Sequence, residues 1–162
     1  MLKKLFAVAI TLLLVAACHT KPATNAGAAG GATSAAPAAS AIAPGSEQDL
    51  ETNVGDRVFF ALDSSVLSSE AQATLTRQVA WLKTNANVKV TVEGHCDERG
   101  TREYNLALGE RRATAAKNFL VSAGVPAARV TTISYGKERP AVVGSNEEAY
   151  AQNRRSVTVV TQ

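Results

Sequence analysis

The sequence predicts a two-layer α/β domain, βαβαββ in order, with a mixed sheet covered on one face by helices. Three observations predict it. Short apolar or alternating runs recur at residues 57–62, 88–93, 130–135 and 156–160, each of strand length. Two longer segments between the first three runs repeat their apolar residues at steps of three and four. Two strand–helix units followed by two further strands are the pattern of a helix layer on a mixed sheet.

The elements follow in order. Arg57-Val58-Phe59-Phe60-Ala61-Leu62 is the first strand, ended by Asp63-Ser64-Ser65. The first helix opens on Ser69 with Gln72 as a capping box, presents Ala71, Leu75, Val79 and Leu82 on one face, and ends near Asn85-Ala86-Asn87. The second strand, Val88 to Glu93, alternates valine with polar residues. The second helix runs from about Tyr104 to Ala123, with Leu108, Ala115, Ala116, Phe119, Leu120 and Ala123 as its stripe, and stops at Gly124 and Pro126. Val130 to Tyr135 is the third strand. A polar connection with a short helical turn around Glu147 to Ala151 leads to the fourth, Ser156 to Val160. The valine-rich strand faces are expected to pack on Leu75, Val79, Leu82, Phe119 and Leu120.

The N-terminal part reads differently. Residues 1–17 have a basic start at Lys3 and Lys4 and an apolar run too short for a membrane span, the layout of a secretory signal. The run ends Val15-Ala16-Ala17-Cys18, which resembles a bacterial lipobox, cleaved before a cysteine that is then acylated; an ordinary signal cleaved near Ala17 is the other reading. Acyl chains on Cys18 give stable anchoring in a lipid leaflet, each buried methylene adding about 0.8 kcal/mol. From His19 to Gly45 the chain is Ala, Pro, Gly, Ser and Thr with almost no large apolar residue, too little to offset its ordering entropy. It is expected to be a disordered tether, about 90 Å long when taut and about 30 Å when relaxed. Residues 1–17, 18–45 and 46–162 are thus signal, lipidated tether and domain.

Charge excludes a nucleic-acid reading. Lys3, Lys4 and Lys21, three of the 17 basic residues, precede Ser46, which leaves 14 against 14 acidic residues in the domain. Enzymatic readings fail on residue types. His95 is the only histidine of the domain, no G-x-S-x-G elbow occurs, and no phosphate loop is present. His95, Cys96 and Asp97 are consecutive in extended chain and cannot converge on one metal ion. Asp97 and Glu98, adjacent in a turn, lack the separation of a sugar-cleaving pair. His95 is expected to be a packed, hydrogen-bonded turn residue, and Cys96 a small buried thiol.

One stretch stands out, Glu93-Gly94-His95-Cys96-Asp97-Glu98-Arg99-Gly100 and its continuation to Ala113. Arg112 falls on the apolar stripe of the second helix, four after Leu108. An inward arginine is costly unless something negative meets it. Asp97 is the obvious intramolecular candidate. The two form either a structural ion pair pinning turn to helix, or a zwitterion trap with a carboxylate for an ammonium and a guanidinium fork for a carboxylate.

The run GHCDERGTREYNLALGERRA, with Ile133-Ser134-Tyr135-Gly136-Lys137-Glu138-Arg139-Pro140 and Asn153-Arg154-Arg155, resembles the OmpA-like peptidoglycan-binding domain family from about Asp56 onward. The resemblance implies a non-enzymatic domain without cofactors. In it the aspartate of the GHxD turn and the arginine before the R-A alanine grip meso-diaminopimelate of the wall's stem peptide; these are Asp97 and Arg112. Phe60 and Leu108 are expected to wall the pocket, and Thr101 to help with the turn's amides. Ala61 stands where family members usually carry an acid, so a contact there has to use backbone. Tyr104 and Asn105 are expected to hold the turn onto the helix, and Arg155 either lines the pocket or braces the sheet. The resemblance further implies TolB and TolA as periplasmic partners. His19, in place of aspartate after Cys18, implies transport to the outer membrane.

Overall fold

The computed structural model describes residues 42–161. The expected signal, Cys18 and the tether up to residue 41 lie outside the described residues. Ahead of the first strand, α1 (Glu47–Asp49) is capped by Ser46 and continues as a π-helical turn, Leu50–Val54. Trp81 Nε1 donates to Asp49 Oδ2 at 2.8 Å and Leu50 is fully buried, which fixes this turn on the domain. Among the described residues no helix is long and apolar enough to cross a membrane.

Four strands, β1 (Arg57–Phe59), β2 (Lys89–His95), β3 (Val130–Gly136) and β4 (Arg155–Thr161), form one sheet in the order β1-β4-β2-β3. β2 pairs parallel with β3, and β4 pairs antiparallel with both β2 and β1. The sheet is therefore mixed, as its sequence predicts. Helices α2 (Ser69–Thr84) and α3 (Arg102–Ser122) cover one face. Leu75, Val79, Leu82, Ala116 and Leu120 pack there against Val58, Val90, Val92 and Val130, and Phe119 is only partly buried beside them. A buried polar tie crosses this core: Thr158 Oγ1 donates to Gln78 Oε1 at 2.8 Å, and Gln78 Nε2 to the Gly55 carbonyl at 2.7 Å.

Element ends differ from the reading in instructive ways. The cap of α2 is Ser68, whose Oγ accepts from Ala71 N at 3.1 Å, so Ser69 is the first helical residue and Gln72 reaches back to the Leu67 carbonyl instead of closing a capping box. β1 is cut short at Phe59 because the chain turns through Ala61–Ser64, with Asp63 at φ 51. α3 begins two residues early because Thr101 caps it, accepting from Tyr104 N at 3.2 Å. Its end follows expectation. Gly124, at φ 100, donates to Val121 O and Val125 to Leu120 O, the paired bonds of a Schellman stop. The helical turn of the last connection is α4 (Glu147–Asn153), capped by Asn146.

β2 runs on through Gly94 and His95, where its register with β3 shifts. A Cβ at Gly94 would lie 1.9 Å from the Gly109 carbonyl oxygen of α3, so only glycine lets helix and strand approach this closely. The contact and the bulge together aim the chain beyond His95 toward the start of α3.

Candidate binding site

A cavity of about 230 Å³ opens where the end of β2, the start of α3 and the turn after β1 meet. Leu62, Cys96, Asn105 and Leu108 line it, with Asp63, Asp97, Arg99, Arg112 and Arg154 as its charged groups. Pockets for drug-sized ligands measure about 300–1,000 Å³, so this smaller one suits a guest the size of a single amino-acid residue.

Arg112 is fully buried on α3. Its Nε donates to the Ser64 carbonyl at 2.8 Å, Nη1 to the His95 carbonyl at 2.8 Å and Nη2 to the Ala61 carbonyl at 3.1 Å. The Phe60 ring lies 5.2 Å from Cζ, close enough for a cation–π contribution. The structural Asp97–Arg112 ion pair, one of the two readings, does not form: among the described residues Arg112 has no carboxylate partner, and carbonyl dipoles hold it instead. Burial lowers its pKa, against the raising influence of Cys96 and Asp97, yet guanidinium stays charged. Three of its five N–H groups are engaged. A fixed positive charge thus borders the cavity with no counter-ion of its own.

Asp97 is 5 % exposed and sits across the turn. Its Oδ2 accepts from Arg99 Nη2 at 2.5 Å and from Arg154 Nη1 at 3.5 Å, and Oδ1 from Arg99 N at 3.2 Å. Burial pushes its carboxyl up. The Arg99 and Arg154 contacts outweigh that and hold it below the usual carboxylate range. Arg154 is in turn held by the Phe60 carbonyl at 3.1 Å and by Glu147 Oε1 at 2.7 Å.

The remaining residues divide. Leu108 lines the cavity. Phe60 is buried behind the guanidinium, in the core, and Ala61 contributes a carbonyl that Arg112 already uses. Thr101 is spent on the helix cap, away from the cavity lining. Asn105 ties turn to helix as expected, donating to the carbonyls of Arg99 at 2.7 Å and Thr101 at 3.0 Å. Tyr104 instead donates its hydroxyl to Asp63. Arg155 braces the carbonyls of Asn153 and Arg139 at 3.5 and 3.3 Å. Its neighbour Arg154 is the one that reaches the site, a residue that adjacent arginines in one sequence do not tell apart.

His95 and Cys96 flank the site without reactive geometry. The Cys96 thiol is buried, donates to the Asn105 carbonyl at 3.3 Å, and has its pKa raised by that burial. His95 is buried but not hydrogen-bonded as expected: neither ring nitrogen has a partner in bonding geometry, although Glu93 Oε2 lies 3.4 Å from Nε2. Burial, then the charge of Arg155, lower its pKa to about 4 against the raising influence of the nearby Arg139 main chain, and the ring is neutral.

Known proteins share this frame. The chain is 57 % identical over 122 residues to the peptidoglycan-associated lipoprotein of Brucella melitensis, covering 75 % of this chain and 73 % of that protein. It is 50 % identical over 152 residues to the namesake of Mesorhizobium japonicum, covering 94 % and 88 %. The crystal structure of the peptidoglycan-associated lipoprotein from Burkholderia pseudomallei superimposes with a TM-score of 0.67 at 36 % identity, covering 71 % of this chain and 99 % of that one. The OmpA family model matches residues 59–154, which take in every charged group of the cavity. The chain belongs to the OmpA family.

Proposed function

We propose that the chain is an outer-membrane lipoprotein, anchored through acylated Cys18, whose periplasmic domain binds peptidoglycan without cleaving it. The cavity receives meso-diaminopimelate of the stem peptide: Asp97 takes an ammonium group and Arg112 a carboxylate. The observation that carries this reading is the buried Arg112, charged, held by three carbonyls and with no carboxylate partner among the described residues, beside an amino-acid-sized cavity. An anion arriving there gains a desolvated charge-assisted hydrogen bond. The similarity to peptidoglycan-associated lipoproteins supports the polymer. Linking outer membrane to wall, with TolB and TolA as partners in the Tol–Pal system and a part in envelope integrity and cell division, extends the same reading from the resemblance of residues 93–113.

Co-sedimentation of the full-length protein, in detergent, with purified sacculi tests it. A soluble stem peptide carrying diaminopimelate should release the protein, whereas one carrying lysine, which lacks the second carboxylate, should not. Asp97→Asn should weaken binding by well over tenfold, since truncating one partner of a desolvated charge contact costs about 2–5 kcal/mol. Equal release by both peptides, or unchanged binding by a folded Asp97→Asn protein, overturns the assignment.

A further inference from the structure

The Asp97 carboxylate is already covered, and its two covers are not equivalent. Arg154 is buried and bound at three points, to Phe60, Asp97 and Glu147. It is part of the frame. Arg99 sits in the turn itself, with a side chain 38 % exposed, and reaches Asp97 Oδ2 at 2.5 Å with Nη2. Arg99 and Asp97 both line the cavity, so an ammonium entering it competes with Nη2 for Oδ2. Arg99 also has other contacts already in place that can hold it once Asp97 is given up. Its Nη1 lies 3.7 Å from Glu147 Oε2, and its Cζ lies 4.3 Å from the centre of the Tyr150 ring. Its Nε is buried without a hydrogen-bond partner, so the present hold leaves one donor unsatisfied.

Resting on the reading of this cavity as a zwitterion site, we propose that Arg99 is a tethered competing cation, which covers Asp97 in the empty site and is displaced onto Glu147 and Tyr150 when the ligand's ammonium arrives. The chemistry gives the device a purpose. A carboxylate open to the periplasm attracts any amine or metal cation, but a guanidinium on the same turn competes at high effective concentration. A lone ammonium ion has to displace Arg99 for a single contact. A ligand that also supplies a carboxylate to Arg112 gains a second contact that offsets the displacement. Arg99 thus lowers affinity for every guest by the same factor, which takes a single-charge guest below useful binding while a guest with two contacts keeps it.

Calorimetry on full-length protein in detergent, with a diaminopimelate stem tripeptide as probe, tests this in wild type, Arg99→Gln and Arg99→Lys, with melting temperatures alongside. Arg99→Gln should bind the tripeptide about two- to fivefold tighter, the worth of a partly exposed ion pair, and should gain measurable affinity for n-butylamine, an ammonium without a carboxylate. Arg99→Lys, which keeps the charge, should stay near wild type. In the wild-type protein the Arg99 Nε–Hε resonance should shift on saturation with tripeptide, a readout independent of how the variants fold. Weaker binding by Arg99→Gln at an unchanged melting temperature makes Arg99 a ligand contact. Weaker binding with a lowered melting temperature makes it a brace. Either result, unchanged affinity, or an unmoved resonance overturns the proposal while leaving the zwitterion site standing. Failure of the wild-type protein to bind overturns both.

Discussion

Arg112 Nη1 donates to the main-chain oxygen of His95 at 2.8 Å, joining α3 to the last residue of β2. The other two bonds of the same guanidinium close the turn after β1 onto the helix, at Ala61 and Ser64. One side chain therefore both assembles three segments and charges the cavity they form.

Arg112 should for that reason be as much a stability residue as a binding one. Arg112→Met removes the guanidinium donors from three inward carbonyls, leaving Ala61 only the Ser64 amide, and should lower unfolding free energy by about 3 kcal/mol or more in urea titration. Arg112→Lys should recover only part of this, because an ammonium cannot span three carbonyls in a plane. Stability equal to wild type in Arg112→Met would show that the carbonyls have other partners.

His95 should make the fold acid-sensitive. Its folded pKa, about 4, lies below the ordinary 6.5, so the unfolded chain binds the extra proton. The stability it contributes is full above pH 6.5 and is lost as pH falls from there to about 4, a change of about 3 kcal/mol. Replacing the ring by His95→Phe removes two unpartnered nitrogens and should flatten this slope in denaturant titrations at pH 7, 5.5 and 4. A slope unchanged by the substitution assigns the acid sensitivity to other groups.

Thr101 separates capping from ligand contact. Its hydroxyl bonds Tyr104 N, so Thr101→Ala should cost about 1 kcal/mol of stability and leave tripeptide affinity unchanged in calorimetry. A loss of affinity without loss of stability restores Thr101 to the site.

Gly94 tests the helix–strand contact. Gly94→Ala puts a methyl group 1.9 Å from the Gly109 carbonyl oxygen, and that neighbour is backbone with nowhere to go. The expected cost is about 3 kcal/mol, at the upper end for overpacking, with wall binding weakened because α3 carries Arg112. Gly55→Ala, at φ 95 but with neighbours no nearer than 3.6 Å, should cost less. Thermal unfolding of the two variants decides the order.

The periodicities of two and three-to-four placed four strands and the two long helices, because burial on one face leaves its mark at every second or fourth residue. The inward arginine was visible for the same reason: it interrupts a stripe. Its partners were not. Carbonyl groups belong to every residue, so nothing in the letters marks Ala61, Ser64 and His95 as the acceptors. Asp97 was read against Arg112 on charge and nearness in the chain. Arg99, two residues away, and Arg154, fifty-seven away, hold it instead. A one-residue offset in the cap of α2, and the unpartnered ring of His95, are decided by local geometry that residue type alone does not carry.

The position of β4 between β1 and β2 has a consequence for biogenesis. Two of the sheet's three seams are made with residues 155–161, so the partners of β1 and half the partners of β2 do not exist until the chain is nearly finished. A nascent chain cannot lock this topology early. Closure waits for the last strand, a long-range step of the kind that makes folding slow.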